Sequence, residues 1–414
     1  MIIFFLTSGL FLGWSLGAND ASHIFGSAVG SKMVTFRKAA IIASVFFILG
    51  AVIQGSGTSQ TLGKLGAINA IGGSFTLALA AAISIYMMTK FALPISTTQA
   101  IVGAIIGWNF FTGNRTDSST LEKIVISWVA GPIIGAVFAI LLYILVKRFK
   151  KLTKIHLIRF ESYIKTGLIV VGAFGAYSLG ANNIANVMGV FVPAFHLKDL
   201  NFWIFSLNSS QQLLLLGGLA VASGIITYSW KVMETIGNNI LELSSEAALV
   251  VVLAQSLVLF IFSSTGLSNL IVKTGLPPIP MVPVSSSQVI VGCILGIGLY
   301  KGVRNINFKI LGEIGLGWII SPVASGLLTF FLLFFMKNIF GINVGSKTAE
   351  TIGNPGQTTN LSAYGQTDVS GIIKYLLLGL IIFGTIGIVF YFLLENKKRK
   401  EMQRSEEKFW KNMK

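Results

Sequence analysis

The sequence predicts an all-α polytopic membrane protein built from two inverted-topology repeats, each with a discontinuous helix and a re-entrant helical hairpin. Three observations carry this. Of 414 residues, 53% are hydrophobic and only 11% charged, against roughly one quarter charged in a soluble globular chain. Apolar runs of about twenty residues, the length that crosses a bilayer core as a helix, recur along the chain. The same motifs also occur twice in the same order, beginning with "SLGAN" at residue 15 and again at residue 178. A closed β-barrel, the other spanning solution, needs short alternating segments that this sequence lacks.

The apolar segments fall near 1–30, 37–54, 71–90, 93–112, 121–147, 163–195, 212–230, 244–264, 283–300, 310–338 and 371–394. The first is apolar from Met1 with no basic region ahead of it, which reads as a membrane helix rather than a cleaved signal. Lys and Arg give a formal charge of +16. They gather at the ends of apolar runs, where they set topology, so nucleic acid is not an expected partner and the lipid bilayer is. The basic stretch "KRFKKLTKIHLIRFESYIK" is expected in the cytoplasm. Alternation from it puts Lys32, Arg37, Lys38, Lys231, Lys301, Arg304, Lys309 and the tail "NKKRKEMQRSEEKFWKNMK" on the same side.

The expected organisation is then a first inverted repeat over 1–147, a basic cytoplasmic linker over 148–165 and a second inverted repeat over 166–338. A polar extracytoplasmic loop (339–370), a final transmembrane helix (371–394) and a charged cytoplasmic tail (395–414) follow. The setting is a cell (inner) membrane, with the N-terminus outside and the C-terminus in the cytoplasm; a homo-oligomer is compatible with this reading. Cys293, the single cysteine, excludes an intrachain disulfide and reads as packing.

The duplication rests on several matched pairs. "FALPISTTQAIVG" and "MVPVSSSQVIVG" align Pro94 with Pro283, Ser96 with Ser285 and Gln99 with Gln288. "SWVAGPIIG" and "GWIISPVAS" align Trp128 with Trp318 and Pro132 with Pro322; weaker matches are Thr61 with Thr235 and Gly63 with Gly237. An odd number of crossings separates the two halves, which inserts the second upside down. Inverted repeats with interrupted helices point to a secondary transporter with its site at the repeat interface.

Two sets of residues carry chemistry. Asp20 is the only carboxylate in the first segment, and an ionised Asp at the bilayer centre costs roughly 2.5–3.5 kcal/mol on insertion scales unless compensated. A cation, a proton or water in a cavity would compensate it. Gly17 is expected to permit an unwound turn whose carbonyls ligate an ion, with Asn19 and Asp20 adding hard oxygens that suit sodium. The second copy offers Asn182, Asn183 and Asn186, neutral oxygens only. The competing reading is a close-packed helix contact with an interhelical amide hydrogen bond. His23 reads as packing at least as readily as binding.

The hairpin tips suit an anion. Pro followed by three hydroxyl residues and Gln is a helix start, with Ser96 and Ser285 as candidate N-caps. Helix N-termini present free N–H groups and positive potential. Ser96, Thr97, Thr98 and Gln99, with Ser285, Ser286, Ser287 and Gln288, could hold a tetrahedral oxyanion without Arg or Lys. Ordinary capping is the competing reading. No nucleotide loop, His/Cys cluster or hydrolytic triad is present in the sequence, so neither an enzyme nor an ATP-driven pump is expected.

With Gly17-Ala18-Asn19-Asp20 paired to Gly180-Ala181-Asn182-Asn183, and the Ser/Thr-Gln tips in both halves, the chain resembles the PiT-type inorganic phosphate transporters from about residue 15 to 325. The resemblance implies a secondary active symporter that imports inorganic phosphate with co-transported sodium by alternating access. It also implies a sodium site at Asn19, Asp20, Asn182, Asn183, Gln99 and Gln288, and a phosphate cradle at the two Ser/Thr tips. A proton-coupled phosphate permease, a sulfate permease and an anion channel are the alternatives. In that family Asn183 is usually a second Asp and His23 commonly an Asn, so the two halves are expected to do different jobs.

Overall fold

A computed structural model describes residues 2–66, 68–90, 95–153, 156–195, 197–201, 206–230, 232–233, 243–302 and 308–346. The expected final helix and tail, and Pro94, Lys231, Thr235, Gly237 and Arg304, lie outside them. Two units divide the chain. The smaller comprises Leu197–Asn208 and Ile352–Lys414. Among its described residues is an antiparallel ribbon of β1 (Leu200–Asn201) and β2 (Ser206–Leu207), with Leu200 opposite Leu207.

The larger unit, Met1–His196 with Ser209–Thr351, is helical. Its first half holds α1 (Ile2–Asp20), α2 (Ser22–Gly30), α3 (Phe36–Gln54), α4 (Ser56–Gly66), α5 (Ile71–Thr89), α6 (Thr97–Thr112) and α7 (Ser118–Thr153). Its second holds α8 (Leu157–Met188), α9 (Ser209–Tyr228), α10 (Ser245–Ile261), α11 (Thr265–Lys273), α12 (Ser286–Lys301) and α13 (Phe308–Asn338). Among the described residues, six helices are long and apolar enough to cross a membrane, and a seventh if α10 and α11, bent by 69°, are one span. The protein is therefore an all-α polytopic membrane protein. On α7, Val129, Ile133, Val137, Leu141 and Leu145 are exposed in one stripe, an outward apolar face that only lipid satisfies. Asp117 starts α7 as its cap, accepting from Ser119 N at 3.2 Å and from the Thr120 hydroxyl. The Thr120 bond, foremost, holds the Asp117 carboxyl below the usual range.

Packing exchanges partners between the halves. Helix α1 lies on α9 while α8 lies on α3; α6 lies on α13 while α12 lies on α7. Glycines make these crossings close enough for backbone to touch backbone. A Cβ on Gly17 would stand 2.0 Å from the Val221 carbonyl oxygen, and one on Gly224 would stand 2.0 Å from that of Trp14. The matched crossing has Gly180 against the Phe47 carbonyl and Gly50 against that of Tyr177, at 2.1 and 1.9 Å. Gly103 meets Pro322 and Gly292 meets Pro132 in the same reciprocal way.

These contacts correct the expected role of Gly17. Helix α1 runs unbroken through Gly17-Ala18-Asn19 to Asp20, with the interruption at Ala21, and α8 runs unbroken through the second copy to Met188. Gly17 and Gly180 serve close helix contact rather than an unwound turn, because the opposing carbonyls leave no room for a side chain.

Candidate functional site

Four helices deliver polar side chains to one dry point: the last turn of α1, the stretch 182–186 of α8, and the N-termini of α6 and α12. Each N-terminus forms because its serine takes an extended backbone and turns its oxygen inward. Ser96 accepts from Gln99 N at 3.2 Å, and Ser285 from Gln288 N at 3.3 Å. Both are N-caps, as their spacing predicts. The two tips approach the same carboxylate from opposite halves of the sequence.

That carboxylate is Asp20, with no exposed surface. Its Oδ1 accepts from Asn19 Nδ2 at 2.8 Å. Its Oδ2 accepts from Thr97 Oγ1 at 3.0 Å, Asn183 Nδ2 at 2.8 Å and Ser286 Oγ at 3.3 Å. Every one of these donors is neutral, so hydrogen bonds spread the charge without cancelling it. Asn183 Nδ2 also reaches Ser286 Oγ at 3.2 Å, and His23 Nδ1 lies 3.2 Å from that same hydroxyl.

A second set of bonds ties the motifs to the tips. Asn19 donates to the Ile95 carbonyl at 3.2 Å. Its counterpart Asn182 donates to the Val282 carbonyl at 3.2 Å, and its Oδ1 accepts from Val284 N at 2.8 Å. Asn186 donates to Thr98 Oγ1 at 2.9 Å, and Thr98 reaches the Val284 carbonyl at 3.4 Å. Ser287 pairs with Ser285 at 3.2 Å.

Most of the unpartnered buried atoms here are oxygens, with the ring nitrogen His23 Nε2 beside them. The side-chain oxygens of Asn19, Asn183, Asn186, Gln99 and Gln288 are buried with no hydrogen-bond donor. Asn19 and Asn183 bond Asp20 directly, and Asn186 bonds the first tip through Thr98. Gln99 and Gln288 sit in the first turns of α6 and α12. These orphaned acceptors therefore belong to the segments that meet at the anionic group. Buried polar atoms seldom go unpaired, and hard oxygens of this kind suit a hard cation.

The segments that the sequence singled out thus converge, with two revisions. Asn182 has both polar ends engaged with backbone at 282–284, so it latches the second tip and is a poor candidate ligand. Thr97 and Ser286 face Asp20 rather than standing free for an anion. Asn186, which the second copy offered as a neutral oxygen, keeps that oxygen without a donor while its amide nitrogen bonds Thr98. Lys90, at the end of α5, is exposed with its ammonium 5.1 Å from the Tyr86 ring centroid. No group of three or more His, Cys, Asp or Glu gathers among the described residues.

A membrane-spanning helical body in which paired helix N-termini from two halves meet at a single buried acid is the architecture of a membrane transporter. The phosphate transporter family matches this chain at residues 16–329 and 279–411, and the chain belongs to that family. It is a transporter and not an enzyme. A Pyrococcus furiosus protein named as a candidate phosphate permease is 26% identical over 396 residues, covering 77% of this chain and 92% of its own length. Similarly named proteins of Methanocaldococcus jannaschii and Haemophilus influenzae are 27% and 25% identical over 79% and 80% of this chain. A solved structure described as the sodium-dependent phosphate transporter shares the fold, with a TM-score of 0.65 and 23% identity over 82% of this chain and 99% of that one.

Proposed function

We infer that the chain is a secondary active symporter that imports inorganic phosphate with sodium by alternating access between two inverted repeats. Family membership supports phosphate as the substrate, and the solved relative's description as sodium-dependent supports the coupling ion. The observation that carries the mechanism is Asp20, fully buried and bound only to neutral donors, two of them amides whose own oxygens are orphaned. Sodium would take Asp20 with Asn19, Asn183, Asn186, Gln99 and Gln288. Asn182 keeps its latch.

Coupling follows from a shortage of hydroxyl protons. Without a cation, Thr97 and Ser286 spend theirs on Asp20. A cation at the carboxylate would displace them, and both hydroxyls would turn toward a phosphate held at the two helix N-termini. Loss of the cation on the cytoplasmic side would draw the hydroxyls back to Asp20 and release the anion. The N-terminus would lie outside and the C-terminus inside, in the cell membrane.

Radiolabelled phosphate uptake into proteoliposomes under an imposed sodium gradient tests this. Asp20→Asn is expected to lower gradient-driven uptake at least 100-fold with the purified protein still monodisperse. Ordinary uptake by that variant would overturn the mechanism. Uptake driven by a pH gradient without sodium would reassign Asp20 to carrying a proton.

A further inference from the structure

Far from Asp20, two lysines from different helices converge on one aromatic ring. Lys147 of α7 sits 5.8 Å from the Tyr143 ring centroid and 5.4 Å from that of Tyr300. Lys301, which ends α12, sits 5.3 Å from the Tyr143 centroid. The two rings pack edge to face at 5.5 Å. Aromatic faces attract ammonium groups, yet two like charges on one ring repel each other. Nearby Lys150 is paired with Glu246, whereas neither Lys147 nor Lys301 has a carboxylate partner among the described residues. The arrangement is complete only with an anion between the lysines.

Depth identifies the kind of anion. Helix α12 begins beside Asp20 and reaches Lys301 fifteen residues later, which is about 22 Å along a helix and half the full thickness of a bilayer. The length of α7 is compatible with the same level: from Ser118 to Lys147 is about 44 Å, which matches the distance between opposite headgroup layers. On the hydrocarbon side of the lysines, Leu145 and Leu299 are 61% and 60% exposed, a surface suited to acyl chains. A phosphate at this position therefore comes attached to a lipid.

We propose that Lys147 and Lys301, set over Tyr143 and Tyr300, bind the headgroup phosphate of an anionic phospholipid where α7 meets α12. The lipid ties together the two helices whose crossing Gly292 and Pro132 form. Because the opposite end of α12 carries Ser286, the lipid also steadies that tip and raises transport. Basic pockets between membrane helices recognise such headgroups by charge and hydrogen bonding.

The test uses the full chain and phosphatidylglycerol as probe. Native mass spectrometry is expected to show retained phosphatidylglycerol, and vesicles of phosphatidylcholine with phosphatidylglycerol are expected to support at least threefold faster uptake than phosphatidylcholine alone. The Lys147→Gln/Lys301→Gln variant should lose both effects. The charge-keeping Lys147→Arg/Lys301→Arg and the distant Lys273→Gln should keep them. Retention and stimulation that survive the double Gln variant would overturn the site. Lipid retention is read without transport, so it stands or falls apart from the coupling mechanism. Protection of Lys147 from an amine reagent by phosphatidylglycerol, but not by inorganic phosphate in phosphatidylcholine vesicles, is expected. Equal protection by inorganic phosphate would assign the pair to the free ion instead.

Discussion

In the first Gly-Ala-Asn copy, Asn19 holds the Ile95 carbonyl and Asp20 collects four donors; in the second, Asn182 holds 282–284 and Asn183 is one of those donors. The glycines are matched, since a Cβ on Gly17 or Gly180 would stand 2.0 or 2.1 Å from a facing carbonyl oxygen, and both first asparagines donate to a carbonyl at a tip. The next residue breaks the match, and it does so across a direct bond: Asn183 Nδ2 to Asp20 Oδ2 at 2.8 Å. What packs is alike in the two copies. What carries charge differs, and the difference sets an acceptor on one side against a donor on the other. Two carboxylates at that separation would repel strongly in a dry site, so the amide lets both halves share one charge.

Three further experiments probe this comparison, beginning with the largest effect. If the shared bond matters more than which half owns the acid, Asp20→Asn combined with Asn183→Asp should recover uptake to within about tenfold of the unaltered protein. Asp20→Asn alone should not recover. Failure of the swap, with folded protein, would show that His23 and the tips distinguish the halves. Next, Gly17→Ala and Gly180→Ala should each destabilise by about 3 kcal/mol or more, since backbone faces backbone and nothing can move aside. Gly312→Ala, with no neighbour within 4 Å, should leave the melting temperature in detergent unchanged. Unequal losses at Gly17 and Gly180 would mean that the two crossings are less alike than they look. The smallest effect separates a latch from a ligand. Asn182→Ala should lower thermal stability by roughly 1–3 kcal/mol by stranding buried backbone groups, leaving the sodium dependence of uptake nearly unchanged. Asn186→Ala should shift that dependence severalfold with less loss of stability.

Much of this was legible in the sequence. Among the described residues the apolar runs fall on helices, because a membrane helix has to be apolar over most of its length. Ser96 and Ser285 could be named as caps because a cap acts over three residues and leaves its spacing in the chain. Asp20 stood out because an acid inside an apolar run has few explanations. What the sequence did not show shares a cause. Gly17 looks alike whether it loosens a turn or admits a neighbour, and its neighbour, the Val221 carbonyl, belongs to a helix of the other half. Thr97 and Ser286 bear hydroxyls whose direction depends on Asp20 from another helix. Asn186 could be offered as a neutral oxygen, but its partner Thr98 belongs to a helix of the other half. The two-residue strands at 200–201 and 206–207 are too short to leave a period.

The reciprocal crossings have a consequence for how the protein is made. Helix α1 rests on α9 and α3 on α8, so the first seven helices emerge from the ribosome with their glycine faces lacking the surfaces they fit. Those crossings close only when the second half arrives, although α1 can already lie on α5. Synthesis of this protein is thus an assembly of two parts, the first made with its reciprocal surfaces uncovered.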